Sequence, residues 1–167
     1  MEDIQSTFGL PPLCAKVLAA KGLANDEIAA LLQEPKLSDP FCANGVKEVA
    51  DRLYQAKQKK EKVLVCGDYD ADGICATAIM VDALRSYGID CGFYIPNRFS
   101  EGYGLHENTV GLAKQKGYTL LITVDNGVKA KTALSFAHTM GIDVIVTDHH
   151  SMDAVSYTHL TLPTIRL

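Results

Sequence analysis

The feature that most constrains this chain is a fourfold rhythm in its second half. Short apolar runs alternate with segments of helical spacing, and glycines punctuate the joins. Val63-Leu64-Val65-Cys66 ends at Gly67, and Cys91 to Ile95 ends at Pro96. Leu120-Leu121-Ile122-Thr123-Val124 ends at Asp125, and Val144-Ile145-Val146-Thr147 ends at Asp148. Runs this short and this apolar read as strands buried on both faces. Between them, Ile74 to Tyr87, His106 to Lys116 and Lys129 to Met140 carry helical patterns, closed by Gly88, Gly117 and Gly141. Strands joined by such helices need right-handed crossovers. The expected fold is therefore α/β, a parallel sheet flanked by helices in a Rossmann-like arrangement.

The residues before this rhythm read as a helical leader. Leu13, Val17 and Leu18 recur at helical spacing up to Gly22. Asn25 is a candidate N-cap for the helix of Ile28, Leu31 and Leu32, which Pro35 ends. Val46, Val49 and Leu53 mark a third helix, running into a polar stretch from Gln55 to Lys62. The lysines there read as a solvated helix end rather than a nucleic-acid patch. The expected division is a leader over 1–61, an α/β domain over 62–153, and a separate tail over 154–167.

Composition removes several function classes. Hydrophobic residues are 47% and charged residues 22%, as in a soluble globular protein. No apolar run approaches the roughly 20 residues of a membrane span. The acidic start Met1-Glu2-Asp3-Ile4 is unlike a signal peptide. Sixteen Lys and Arg against twenty Asp and Glu give a net charge of −4. No global field draws in a polyanion, so nucleic-acid contact has to come from a local basic site or from metal ions. The five cysteines form no Cys-x-x-Cys pair, which fits a reduced, cytoplasmic compartment.

In an open parallel sheet, ligands bind outside the carboxyl ends of the strands. The residues found there are Asp68-Tyr69-Asp70-Ala71-Asp72-Gly73, then Pro96-Asn97-Arg98, then Asp125-Asn126-Gly127, then Asp148-His149-His150. Three of four strand ends deliver carboxylates, and one adds two imidazoles. Carboxylates converging at one edge repel one another strongly. Divalent cations relieve that repulsion, and an oxygen-rich set with imidazole suits Mn²⁺ or Mg²⁺ better than Zn²⁺. Two ions about 3.5–4 Å apart are the usual clamp for attack of water on a phosphate ester.

Each piece alone has an ordinary structural use. Asp-x-Asp after a strand is commonly a turn or helix cap, and Asp-Asn-Gly is a common turn. Their joint appearance at successive strand ends carries the weight. Arg98 lies in the glycine-punctuated loop Pro96 to Gly104, where it can grip a phosphate or pair with Glu101. His106 reads as the start of a helix. His138 and His159 have no supporting neighbours.

At these residues the sequence resembles the DHH phosphoesterase superfamily, named for a motif like Asp148-His149-His150, and within it the RecJ group of exonucleases. Gly67-Asp68-Tyr69-Asp70-Ala71-Asp72-Gly73 is similar to the group's first motif, Asp125 to its second and Asp148-His149-His150 to its third. The loop Pro96-Asn97-Arg98 with Glu101-Gly102-Tyr103-Gly104, and the leader ending near Asp39-Pro40, are similar as well. The resemblance spans roughly residues 8 to 153. It implies a 5′→3′ single-stranded-DNA-specific exonuclease acting by two-metal catalysis in DNA repair and recombination. It implies Asp70, Asp72, Asp125 and His149 as ligands of two Mn²⁺ or Mg²⁺ ions, with His150 against the scissile phosphate. Asp68 would support the cluster, and Arg98 would meet the nucleic-acid backbone. Single-stranded DNA, a single-strand-binding protein and a helicase are the partners it implies.

Members of the superfamily carry a further aspartate and a second domain, and the RecJ group adds an OB-fold. None is legible here, and Val155 to Pro163 is unlike the family and resembles translated adapter sequence. The chain therefore reads as an N-terminal fragment, close to inactive by itself. Three other readings stand beside this one. A superfamily phosphodiesterase or phosphatase would act on short oligonucleotides or small phosphate esters. An aspartyl-phosphate phosphatase would use Asp68 and Asp70 as nucleophile and acid. A receiver-like binding module would use the same pocket for Mg²⁺ alone. The last two leave His149-His150 unexplained.

Overall fold

A computed structural model describes residues 2–33, 39–43, 45–151 and 164–166. Chain contacts divide into two compact units, Met1–Ser38 and Asp39–Leu167. In the first, α1 (Glu2–Phe8), α2 (Pro12–Ala20) and α3 (Asn25–Leu32) follow one another. Helix α1 was not legible as a periodic pattern. The cap of α3 is Ala24 rather than Asn25, which is already helical. Ala24 offers no side-chain acceptor, but its N–H donates to the Glu27 carboxylate at 2.8 Å, so half of a capping box forms.

The second unit is the α/β sandwich. A 3₁₀ turn (Pro40–Cys42) precedes α4 (Val46–Gln58). Then come β1 (Val63–Cys66), α5 (Ala71–Tyr87), β2 (Cys91–Tyr94), α6 (Glu107–Gln115), β3 (Leu120–Val124), α7 (Lys131–Thr139), β4 (Asp143–Asp148) and β5 (Thr164–Arg166). The sheet order is β2-β1-β3-β4-β5, and every pairing is parallel. Val63 sits between Cys91 and Leu120 in the register, and Leu120 lies beside Asp143.

Strand alternation explains the two cores. Val63, Val65, Leu120, Ile122 and Ile145 face one side, against Val49 and Ala56 of α4 and Val81 and Leu84 of α5. Leu64, Cys66, Leu121, Val144 and Val146 face the other, against Val110 and Ala113 of α6 and Leu134 and Ala137 of α7. β1 and β3 are buried along their whole length, which is why they read as continuous apolar runs.

Two boundaries differ from the sequence reading. Helix α4, expected in the 1–61 leader, belongs to the sheet unit because Val49 and Ala56 pack on its apolar face. The sheet also has a fifth strand, drawn from residues read as a separate tail. Thr164–Arg166 pairs with Val146–Asp148. Ladder bonds are made by main chain, so the open edge of β4 accepts an extended segment whatever its side chains.

Arg52 ties α4 to the amino edge of the sheet. Its guanidinium donates to Glu61 at 2.7 Å and to Asp143 at 2.9 Å, and Thr119 donates to the same Glu61 oxygen at 3.0 Å. Burial works against the ionised Glu61, but the Arg52 and Thr119 hydrogen bonds hold its carboxyl below the usual range. A group depressed in this way stabilises the fold above its unfolded value and loses that contribution as pH falls through its folded value. Arg52→Ala is expected to cost about 1–3 kcal/mol at neutral pH, read as a lower urea midpoint. The difference from the unsubstituted chain should shrink on acidification.

Candidate metal centre

A parallel sheet delivers the loop after each strand to one edge. The order β2-β1-β3-β4 places the reversal of winding between β1 and β3, where such sheets open a crevice. Asp68 lies two residues beyond β1 and is 2% exposed. Its Oδ1 is buried and has no hydrogen-bond partner among the described residues. Asp70 is the N-cap of α5, its Oδ1 accepting the Gly73 N–H at 2.9 Å. Gly73 lets this turn close on Asp68. A Cβ there would stand 2.6 Å from the Asp68 backbone and Cβ.

Asp125 follows β3 directly and adopts φ 61, in the left-handed region. Such a residue persists only where its surroundings over-determine it. Its N–H donates to the Thr147 carbonyl at 3.0 Å, and its carbonyl accepts from the Tyr103 hydroxyl at 3.1 Å. The next residue, Asn126, is fully buried. Its Nδ2 donates to the carbonyls of Cys66 at 3.0 Å and Val124 at 2.9 Å, so one side chain joins the ends of β1 and β3. Gly127, at φ 114, completes the turn where a Cβ would meet Thr123 Oγ1 at 2.5 Å.

Two groups of ligand atoms result. One atom each from Asp68, Asp70 and Asp125 lie within 4.8 Å of one another, and so do one each from Asp125, His149 and His150. Asp125 belongs to both. His149 Nε2 stands 3.0 Å from Asp125 Oδ1. His150 Nδ1 stands 2.7 Å from Asp148 Oδ1 and 3.2 Å from the Tyr103 hydroxyl. Asp148 is the last residue of β4 rather than the first beyond it, and it is 3% exposed. The N–H groups of His150 and Val128 donate to its two oxygens at 3.0 and 3.1 Å.

These surroundings sort the charges. Burial, then the charge of Asp70, push the Asp125 carboxyl above its usual range against the pull of His149 and His150. Burial also opposes ionisation of Asp148, but the His150 and Val128 N–H groups and the His150 ring hold its carboxyl low. The hydrogen bond to Asp148 raises His150. Tyr103 is pushed up by burial and by the surrounding carboxylates, which keeps its hydroxyl a donor. Burial pushes the Cys66 thiol up to about 12, so no thiolate joins the set. A buried carboxylate oxygen without a donor, beside two more carboxylates and an imidazole pair, fits a hard divalent cation.

The structure brings together five of the residues singled out from sequence, namely Asp68, Asp70, Asp125, His149 and His150. Asp72 lies in the first turn of α5, exposed and outside both groups. It lines a groove that also includes Asp125, His149 and the apolar Ala76, Ile79 and Met80. The Arg98 guanidinium sits 5.2 Å from the centre of the Tyr69 ring. Glu101 does not pair with it among the described residues. It accepts instead from the Asn97 N–H at 2.7 Å and from the Tyr94 hydroxyl. Two residues of the site carry no role in the sequence reading, Tyr103 and Asn126, while Asp148 was read among the strand-end carboxylates without a role of its own. The available signals were a tyrosine between two glycines and an amide directly after a strand-end aspartate.

The profile of the DHH family, N-terminal domain, matches residues 62–164. The single-stranded-DNA-specific exonuclease RecJ of Bacillus subtilis is 42% identical over 153 residues, covering 90% of this chain and 20% of that protein. A crystal structure of exonuclease RecJ bound to manganese aligns with a TM-score of 0.70 at 33% identity, covering 79% of this chain and 33% of that one. RecJ from Thermus thermophilus in complex with Mn²⁺ aligns with a TM-score of 0.69 at 27% identity, covering 99% of this chain and 22% of that one. The chain thus spans about a fifth of the length of the curated relative.

Asn126→Ala would leave the Cys66 and Val124 carbonyls without their donor and cut the side-chain link between the two strand ends. The expected cost is about 1–3 kcal/mol, seen as a lower urea midpoint. An unchanged midpoint would show that Asn126 does not hold these ends.

Proposed function

Because the chain belongs to the DHH family, we propose that it is the N-terminal catalytic segment of a divalent-metal-dependent, single-stranded-DNA-specific exonuclease of the RecJ kind. The observation that carries this reading is the pair of ligand groups joined through Asp125. A carboxylate common to both groups is what two neighbouring cations need. In this reading Asp68, Asp70, Asp125, His149 and His150 hold Mn²⁺ or Mg²⁺. Asp72, on the adjoining helix turn, completes the set from the groove side. When bound, such ions lower the pKa of an attacking water and neutralise charge on the phosphoryl oxygens.

The protein's own groups do the rest. The Asp148 hydrogen bond occupies His150 Nδ1, so Nε2 is the nitrogen left to face a ligand or phosphate oxygen. Arg98, spread over Tyr69 and free of the Glu101 carboxylate, is placed to take a backbone phosphate. With the chain's net charge of −4, these local groups and the bound cations have to supply the attraction.

Titration of the chain with Mn²⁺, followed by the electron paramagnetic resonance of free Mn²⁺, is expected to show saturable binding. Asp125→Asn should weaken it by roughly tenfold or more, and Arg98→Ala should leave it unchanged while weakening single-stranded DNA binding. Metal binding that survives Asp125→Asn would remove the basis of the proposal.

A nuclease assay tests the activity itself. With millimolar Mn²⁺ and a 5′-labelled oligonucleotide, labelled mononucleotide should come from the single strand and not from the duplex. The chain should turn over far more slowly than the B. subtilis relative assayed beside it, because it spans only about a fifth of that relative's length. Comparable rates would show that the rest of the longer protein is dispensable. Equal cleavage of duplex would rule out the single-strand reading.

A further inference from the structure

The metal centre has two unlike flanks. On the α4/α5 side the adjoining groove is built from Val46, Ala76, Ile79 and Met80, with Ile79 71% exposed. On the α6/α7 side a separate cavity opens next to His150, and its polar walls are Tyr103, His106, Lys129, Thr132 and Asp148. The proposed reaction concerns the scissile phosphate at the metal ligands. It leaves this second cavity without a role.

We infer that the cavity beside His150 is an anion subsite, in which Lys129 and His106 hold a second phosphate of the same DNA strand. The inference rests on the proposed nuclease function and extends it by one nucleotide.

The donor and acceptor balance of the walls carries it. Asp148 is the one carboxylate on the lining, and its oxygens are already taken. Oδ1 accepts from the His150 N–H at 3.0 Å and lies 2.7 Å from the ring Nδ1, while Oδ2 accepts from the Val128 N–H at 3.1 Å. It therefore offers little to an arriving cation. Of the other polar walls, Lys129 is a donor, Thr132 carries a hydroxyl, His106 donates or accepts according to its tautomer, and Tyr103 already donates to the Asp125 carbonyl. Lys129 is exposed, stands on the cavity wall and enters none of the ion pairs found among the described residues. His106 packs its ring on the same wall, and its Nε2 is buried with no hydrogen-bond partner among the described residues. Thr132 adds a hydroxyl at the start of α7. A cavity with an ammonium, an unpartnered imidazole nitrogen and a hydroxyl, and no free carboxylate, is chemically suited to an anion.

The substrate brings that anion with it. Every phosphodiester in a strand has charged neighbours, so a phosphate seated on the metal centre carries another to one side or the other. Next to an acidic cluster an unpartnered phosphate is repelled. The α4/α5 groove joins apolar surface to carboxylates and has no Lys or Arg on its lining, so Lys129 makes the α6/α7 flank the side on which the neighbouring phosphate is met.

The test uses the chain with Mg²⁺ and fluorescent oligothymidylates in anisotropy titrations. One strand has all its phosphates, and each of a series carries a single neutral methylphosphonate at a successive linkage. The unsubstituted chain should lose affinity at the linkage that reaches the cavity. Lys129→Ala should bind the fully charged strand about five- to tenfold more weakly, flatten the salt dependence by about one charge, and lose its sensitivity to that linkage. His106→Gln should show the same loss of sensitivity, while Lys116→Ala, at the far end of α6, should behave like the unsubstituted chain. Mn²⁺ affinity should not change in any of the three.

Lys129→Ala that binds as tightly as the unsubstituted chain, or that stays sensitive to the same linkage, would overturn the inference and leave the nuclease reading standing. A chain that binds no strand at all would overturn both. Thymidine 5′-monophosphate distinguishes the other source of phosphate. If Lys129→Ala weakens its binding while the methylphosphonate series is flat in the unsubstituted chain, the cavity holds released product, and the inference of a second strand phosphate fails.

Discussion

Negative charge packed without enough positive charge is the constraint that organises this structure. Asp68, Asp70 and Asp125 bring ligand oxygens within 4.8 Å of one another, and one Asp68 oxygen is buried with no donor among the described residues. Carboxylates so placed repel one another, and burial removes the water that would screen them. The upward push on Asp125 is the local sign of that strain. A fold tolerates such a cluster only when something else relieves it. The imidazoles of His149 and His150 approach from β4 and relieve part of it. The remainder is the electrostatic case for a divalent cation.

The rest of the unit can be understood as the means of holding that cluster together. All five strands are parallel, so the loops after β1, β3 and β4 open at the same edge. The winding reverses between β1 and β3, and the carboxylates flank that point. Asn126 links the two strand ends by main-chain carbonyls, Gly73 lets α5 close on Asp68, and Tyr103 grips the carbonyl of the left-handed Asp125. None of these three touches a substrate phosphate in the proposed reaction. Each removes a freedom that mutual repulsion would otherwise use to pull the carboxylates apart.

This explains what was legible in the sequence and what was not. The strands were, because β1 and β3 are buried on both faces and so spell continuous apolar runs. The gathering of Asp68, Asp70, Asp125, His149 and His150 was, because a strand end in a parallel sheet has a known destination. The positioning residues were not, because their work depends on partners distant in sequence. Asn126 reaches Cys66 across 60 positions and Tyr103 reaches Asp125 across 22, and no local pattern encodes either reach. Asp72 shows the opposite case. It sits in the motif near Asp70, yet it lies within the first turn of α5 while Asp70 stays at the cap, so nearness in sequence did not become membership of either group. Helix α1 and the pairing of Thr164–Arg166 were also not legible, the latter because main-chain pairing leaves no side-chain signature.

The two flanks of the centre bear on why a single strand would be chosen under the proposed function. A groove of Val46, Ala76, Ile79 and Met80 offers apolar surface beside the carboxylates of Asp72 and Asp125. A nucleobase can use such a surface only when it is unstacked and unpaired, since in a duplex its faces are covered and its edges are bonded to the other strand. The opposite cavity, with Lys129 and His106, favours the charged backbone. A strand crossing the edge of the sheet can then turn its bases to one side and its phosphates to the other. A duplex presents backbone on both outer sides, and its second backbone would meet the apolar groove. Selectivity of this kind needs no reading of base identity. It follows from the sheet standing between the α4/α5 groove and the α6/α7 cavity, with the acidic residues at its carboxyl edge between them.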